Sequence, residues 1–311
     1  MTALAQALRD LTGAEPEQLR LGIAVSGGPD SMALLHLAAK LPLAAVEAAT
    51  VDHGLRFEAA AEAVLVAGYC ADRGIRHATL HPDRPLAGSV QAAAREARYA
   101  LLEAWRTERG LDYILTAHHA DDQAETLVMR LNRGSGVAGL AGIRARNGRV
   151  LRPLLDWRRS TLAGIVAAAG IPCADDPSNR DARFDRSRIR SALAGSPLLD
   201  VPATARSAEL LAQANAALDW AAQAQIESWP DHRDPAIIRD GNWPDEIGWR
   251  ILRLRIQVMD PGAGADQKQL LGALAALRAG QKVSLGELLL IPDRQHRAIW
   301  RISPAPPRRS H

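Results

Sequence analysis

Short apolar runs alternate with longer helical stretches through the first two-thirds of the chain. Leu21–Val25, Ala45–Val51, His77–Leu80 and Tyr113–Ala117 have the length and apolarity of buried strands. The alanine-rich stretches between them, Ser31–Lys40, Glu58–Arg73 and Val90–Arg109, predict helices, and Leu4–Leu19 reads as a surface helix. Strand–helix alternation of this kind predicts a parallel sheet covered by helices on both faces, an α/β class. Ala203–Ser228 is a long helical run preceded by Pro197 and Pro202 and followed by Trp229-Pro230, which suits a linker helix. Beyond it, Glu246–Met259 and Gln267–Ala279 predict helices. Leu285–Leu290 and Ala298–Ile302 predict strands around a turn at Pro292-Asp293-Arg294. The expected organisation is therefore a first domain over 1–200, a linker helix over 201–228 and a small, mostly helical C-terminal domain over 229–311.

Ligands on such sheets bind beyond the carboxyl ends of the strands, and that is where the polar motifs fall. Ser26-Gly27-Gly28-Pro29-Asp30-Ser31 follows the first strand and opens a helix. Two adjacent glycines let backbone N–H groups approach an anion, and the helix N-terminus adds its own unpaired donors and partial positive charge. Ser26 and Ser31 can donate to phosphate oxygens, and Asp30 can hold a magnesium ion. The Gly-Lys-Ser/Thr ending of the usual kinase-type phosphate loop is missing.

After the second strand, Val51-Asp52-His53-Gly54-Leu55-Arg56 places Asp52 and Gly54 in a turn suited to a base or ribose. Arg95 and Arg98, within Ala94–Tyr99, share one helix face. After the fourth strand comes Thr116-Ala117-His118-His119-Ala120-Asp121-Asp122-Gln123-Ala124-Glu125-Thr126. Asp122 and Glu125 lie three apart, so one helical turn presents both carboxylates to the same side. The adjacent histidines diverge and no third ligand is spaced for zinc. The helix runs on to Arg130-Leu131-Asn132-Arg133-Gly134-Ser135-Gly136, where glycines end it in a basic loop.

Charge is informative once localised. The chain is +3, yet residues 144–190 hold eleven Arg and five Asp, leaving −3 for the remainder. Arginine suits planar, bidentate contact with phosphate, so this segment predicts nucleic-acid contact. No run of eighteen apolar residues predicts a membrane span, and the N-terminus lacks the features of a signal peptide. Cys70 and Cys173 form no CxxC or metal spacing, which fits two buried thiols in a cytoplasmic protein.

The glycine loop resembles the pyrophosphate loop of the N-type ATP pyrophosphatases, which grips the pyrophosphate leaving ATP. Together with Val51–Arg56, Arg95–Tyr99, Thr116–Thr126, Arg130–Gly136, Arg152-Pro153-Leu154-Leu155, Asp176-Pro177-Ser178-Asn179, Arg186 and Arg190, it looks like the tRNA(Ile)-lysidine synthetases over about residues 15–190. That resemblance implies a Rossmann-like sheet of the adenine nucleotide alpha hydrolase type, cytoplasmic location, and ATP and magnesium as cofactors. The implied partners are L-lysine and an isoleucine tRNA with a CAU anticodon. The wobble cytidine is adenylated through its O2, and lysine then replaces AMP. It further implies catalytic roles for Asp30, Asp122 and Glu125. ATP would meet Ser26, Gly27, Gly28, Pro29, Asp30, Ser31, Asp52 and Arg95, with Asp30 on magnesium. Arg130, Arg133, Arg183, Arg186 and Arg190 would meet tRNA. Longer members carry a further C-terminal domain, so the chain resembles a short form. Its apolar linker helix makes a homodimer plausible. Within the same fold, a tRNA sulfurtransferase is the nearest alternative, but it needs a cysteine pair or an iron–sulfur CxxC that is not visible.

Overall fold

The computed structural model describes residues 2–52, 54, 58–82, 90–174, 185–194, 199–241 and 243–305. His53, Leu55, Arg56, Asp176–Asn179 and Arg183 lie outside the described residues, as does the side chain of Arg186.

The first elements are α1 (Ala3–Thr12), β1 (Arg20–Ala24), α2 (Pro29–Ala38), β2 (Ala45–Val51), α3 (Glu58–Ala71), β3 (Arg76–Leu80) and α4 (Val90–Glu108). There follow β4 (Tyr113–Leu115), α5 (Ala120–Leu131), α6 (Val137–Leu140), β5 (Arg146–Asn147), β6 (Val150–Leu151), α7 (Arg159–Ala168) and α8 (Asp185–Ala194). Six strands form one sheet in the order β3-β2-β1-β4-β6-β5, parallel except for the β5 edge. The order runs outward from β1 in one direction through β2 and β3 and in the other through β4. The carboxyl ends of β1 and β4 therefore adjoin at the point where the order reverses, which is where ligands of such sheets sit. Register pairs Leu21 with Tyr113 and Ile23 with Leu115.

Side-chain alternation along the strands builds a core on each face. Leu21, Ile23, Ala48 and Leu115 pack with Leu4 and Leu8 of α1, Met32 and Leu35 of α2, Val66 and Cys70 of α3, and Leu162 of α7. On the opposite face Ala49 and Ile114 pack with Leu102 and Trp105 of α4. Gly22 faces that second layer, and a Cβ there would lie 2.6 Å from the Trp105 ring. Only glycine lets α4 sit so close to β1. Helices thus cover both faces, as the alternation predicts.

The remaining elements are α9 (Val201–Glu227), β7 (Ile237–Arg239), α10 (Asp245–Met259), α11 (Gln267–Arg278), β8 (Val283–Leu285), β9 (Leu288–Pro292) and β10 (Ile299–Pro304). The chain divides into two compact units, residues 1–212 and 213–311. In the second, an antiparallel sheet in the order β7-β10-β9-β8 carries α10 and α11. Its core is formed by Ile238, Leu290, Trp300 and Ile302 with Ile251, Leu252, Ile256, Leu270 and Leu274. Close approach of the two helices is built in, since a Cβ on Gly248 would lie 2.7 Å from Leu274. Sequence reading expected two strands in this unit, and the structure has four. The expected strand Leu285–Leu290 is in fact two strands, folded back at Gly286 with φ +59°.

Candidate active site

Backbone geometry shapes the loop between β1 and α2. Gly27 has φ +82°, a left-handed conformation that disfavours any Cβ. Gly28 is the N-cap of α2 without a side-chain cap bond, and Pro29 takes the first helical turn, where its missing N–H is no loss. The Ser26 N–H donates to Ser31 Oγ (3.1 Å), which donates to the Gly28 carbonyl (2.9 Å). Ser31, expected to meet phosphate, therefore staples the loop in this structure, with Ser26 Oγ 3.3 Å away. The Ala174 N–H pins the loop from outside by donating to the Gly27 carbonyl (2.9 Å).

Asp30 lies in the first turn of α2, and its Oδ1 is buried with no hydrogen-bond partner among the described residues. An orphaned carboxylate oxygen is costly. Mg²⁺ is commonly held by one or two carboxylates together with substrate phosphates, so Asp30 beside a phosphate-shaped loop fits that ion. The other oxygen, Oδ2, faces His119 Nε2 at 3.4 Å and Arg159 Nε at 3.9 Å.

His119 brings the second motif to the first. It is the N-cap of α5 and is 2% exposed. Its Nδ1 accepts from the Asp122 N–H (3.4 Å), and its own backbone N–H donates to Asp122 Oδ2 (3.1 Å), a reciprocal cap. Burial pulls the imidazole pKa down, but Asp30, Asp122 and Asp121 together outweigh it, and the net shift is upward. Asp121 accepts both Arg158 nitrogens (3.3 and 3.2 Å) and the Arg159 N–H (2.8 Å). Burial favours its neutral form, yet these donors and Arg158's charge hold its pKa below the ordinary value.

Glu125 follows one turn after Asp122 and is 2% exposed. Arg190 of α8 donates to both its oxygens (2.6 and 3.3 Å). The guanidinium pKa is raised mainly by that bond, and also by the charges of Asp122 and Asp30. Sequence reading placed Arg190 on tRNA, whereas the structure places it in the acidic cluster. Arg130 is engaged too, donating to the carbonyls of Gly139 in α6 and Gly142 just after it, and so fixing that segment. Arg133 is exposed, and with Arg188 it lines a hollow between the C-terminal end of α5 and the middle of α8. Asp52 sits at the end of β2 in a turn closed by the Gly54 N–H (2.8 Å). Arg95 is exposed on α4, over the Tyr99 ring at 5.1 Å.

The structure therefore brings together Asp30, Asp122, Glu125 and Arg190, and adds His119, Asp121, Arg158 and Arg159 to them. Sequence reading weighed His118-His119 only against a zinc site, which it set aside, and so missed the cap, for which His119 directly before an acidic helix turn was the available signal. Burial pushes the Cys70 pKa up to about 11, and partial burial together with the charge of Asp30 raises that of Cys173.

Residues 2–196 match the family model for the PP-loop domain. The tRNA(Ile)-lysidine synthase of Novosphingobium aromaticivorans is 45% identical over 94% of this chain and 90% of its own length. The enzyme of the same name from Zymomonas mobilis is 40% identical over 93% and 90%. Among solved structures, the U34-tRNA thiolase NcsA from Methanococcus maripaludis superposes with a TM-score of 0.56 at 16% identity. It covers 68% of this chain and 78% of its own, a likeness of fold alone.

Proposed function

The chain belongs to the tRNA(Ile)-lysidine synthase family of PP-loop proteins, and we propose that it forms lysidine on a CAU-anticodon isoleucine tRNA in the cleft between β1 and β4. The observation that carries this reading is the convergence of the phosphate-shaped loop and the acidic helix at the sheet's reversal point, with Asp30 and Asp122 both against His119. In the first step cytosine O2 attacks the α-phosphorus of ATP and pyrophosphate leaves. Donors at Gly27, Gly28 and the start of α2 stabilise that leaving charge. A magnesium ion held by Asp30 would neutralise phosphate charge.

In the second step the lysine ε-amine attacks C2 and AMP departs with O2. The free amine has a pKa of about 10.4, so it must lose a proton at the site. Asp122 and Glu125 orient the ammonium, with Arg190 fixing Glu125 in place. A sulfurtransferase would need a cysteine pair or an iron–sulfur CxxC, and Cys70 and Cys173 form neither motif.

For the tRNA backbone the reading assigns exposed arginines: Arg133 and Arg188 on the first unit, and Arg294, Arg297 and Arg301 on the second. The last three belong to a charge imbalance. Residues 288–311 carry five arginines against one aspartate, a balance of +4, while residues 213–287 are at −2.

Incorporation of labelled lysine into isoleucine tRNA transcript with ATP and magnesium tests the reading, with the CAU-anticodon methionine tRNA alongside. ATP-dependent labelling of the isoleucine tRNA alone is the expected result. Pyrophosphate exchange without lysine transfer to either tRNA would sink the assignment.

A further inference from the structure

We propose that His119 is a positioning residue that locks the pyrophosphate loop and the acidic helix into one register, holding Asp30 and Asp122 toward a single nucleotide. The inference rests on the lysidine reading for the identity of the two steps, but its geometry stands independently. The ring is buried among the carboxylates of Asp30, Asp121 and Asp122, and it acts through these neighbours. Its backbone is anchored on the β6 side, where His119 bridges Leu154 and the following Ala120 N–H donates to the Trp157 carbonyl (2.9 Å). From that fixed point Nδ1 caps α5 at the Asp122 N–H (3.4 Å), while Nε2 reaches Asp30 Oδ2 on α2 (3.4 Å) and Asp122 Oδ2 (3.6 Å). With Nδ1 accepting from the Asp122 N–H, and Asp121 Oδ2 3.6 Å from it, Nε2 is the nitrogen that donates toward Asp30. Ser, Thr, Asp and Asn are the preferred N-caps. None of them has a second polar atom that reaches past its own helix, whereas imidazole does. A cap alone does not call for histidine; a cap that also holds Asp30 does.

Two substitutions separate the two nitrogens. His119→Asn keeps an acceptor near the Nδ1 position, and hence the cap, but has nothing at the Nε2 position. His119→Gln extends an amide toward the Nε2 position and caps poorly. Adenylation is read as pyrophosphate released from ATP in the presence of tRNA and absence of lysine, alongside the melting temperature with and without ATP and magnesium. H119N is expected to melt near wild type while kcat falls about 10–100-fold, the usual cost of losing an orienting partner, and KM for ATP with magnesium rises. Its melting temperature should also rise less on adding ATP with magnesium. H119Q should melt lower than H119N yet recover part of the rate.

A wild-type rate in H119N, or rates that simply follow melting temperature across the two variants, would overturn the proposal and leave His119 a cap. If H119N does not fold, H119Q decides alone: lowered melting with substantial rate supports the link, and loss of rate overturns it. Should the wild type transfer no lysine while H119N still loses its response to ATP and magnesium, the lysidine reading falls and the positioning role stands.

Discussion

The Glu125–Arg190 pair is where single residues matter most. Glu125 is nearly inaccessible and Arg190 only about a quarter exposed, so the two charges compensate each other largely out of water. Breaking such a pair from one side is costly because a buried charge loses its bidentate partner, up to about 3–5 kcal/mol. Arg190→Ala should therefore lower stability by that order, measured as a shift in urea midpoint. Arg190→Ala with Glu125→Gln should recover part of it, since no charge is then stranded. If R190A unfolds at the wild-type midpoint, the pair does not hold α8 to α5. Gly27 gives a second residue-scale test. At φ +82°, a Cβ would lie 3.4 Å from Glu62 Cβ and 3.5 Å from Ala174 Cβ. The left-handed conformation costs a non-glycine residue roughly 1–2 kcal/mol. Gly27→Ala should lose about that much stability and release pyrophosphate more slowly as the loop relaxes out of shape.

At the scale of elements, Asp121 ties the start of α5 to the start of α7. Its folded pKa lies below the unfolded value of about 3.9, so the tie contributes stability above that pH and loses it as pH falls through the lowered folded pKa. The stability difference between wild type and Asp121→Asn should thus be full near pH 6 and shrink progressively below about pH 4. Urea titrations at several pH values measure it, and a difference that grows on acidification would refute the tie. This contact also marks the limit of what the chain reveals before folding. β1 to β4 were legible because each is an apolar run closed by turn residues, and Asp122 and Glu125 because helical spacing alone puts them on one side. Arg158 meets Asp121 across 37 residues of sequence, and Arg190 meets Glu125 across 65, distances at which no local period operates. β5 and β6 span two residues each, too few to show alternation, although Asn147-Gly148 with Gly148 at φ +58° is a hairpin signal. The local pattern thus located the loop and the acidic helix, while the arginines that fix them were readable only as an excess of charge.

For the whole molecule that excess becomes a quantity that binding can report. Not every arginine between 130 and 190 is available to a polyanion: Arg152 is buried and donates to the Arg144 carbonyl (2.7 Å), Arg158 clamps Asp121, and Arg190 clamps Glu125. The nominal +6 of residues 144–190 therefore overstates what this segment offers to phosphate. The exposed positions are a smaller set, including Arg133 and Arg188 in the first unit and Arg294, Arg297 and Arg301 in the second. Each phosphate contact on a duplex steepens the fall of log K with log salt by about 0.9, or about 0.7 on single strands. Removing Arg294, Arg297 and Arg301 together should flatten the salt dependence of tRNA binding by about 2–3 if all three meet phosphate. Because such contacts position without reading bases, the loss should be similar for isoleucine and methionine tRNAs. Pyrophosphate loop chemistry should persist at saturating tRNA, since Asp30, His119 and Asp122 are untouched. An unchanged salt slope in the triple variant would remove the C-terminal hairpin from the binding surface and return the whole electrostatic footprint to the first unit.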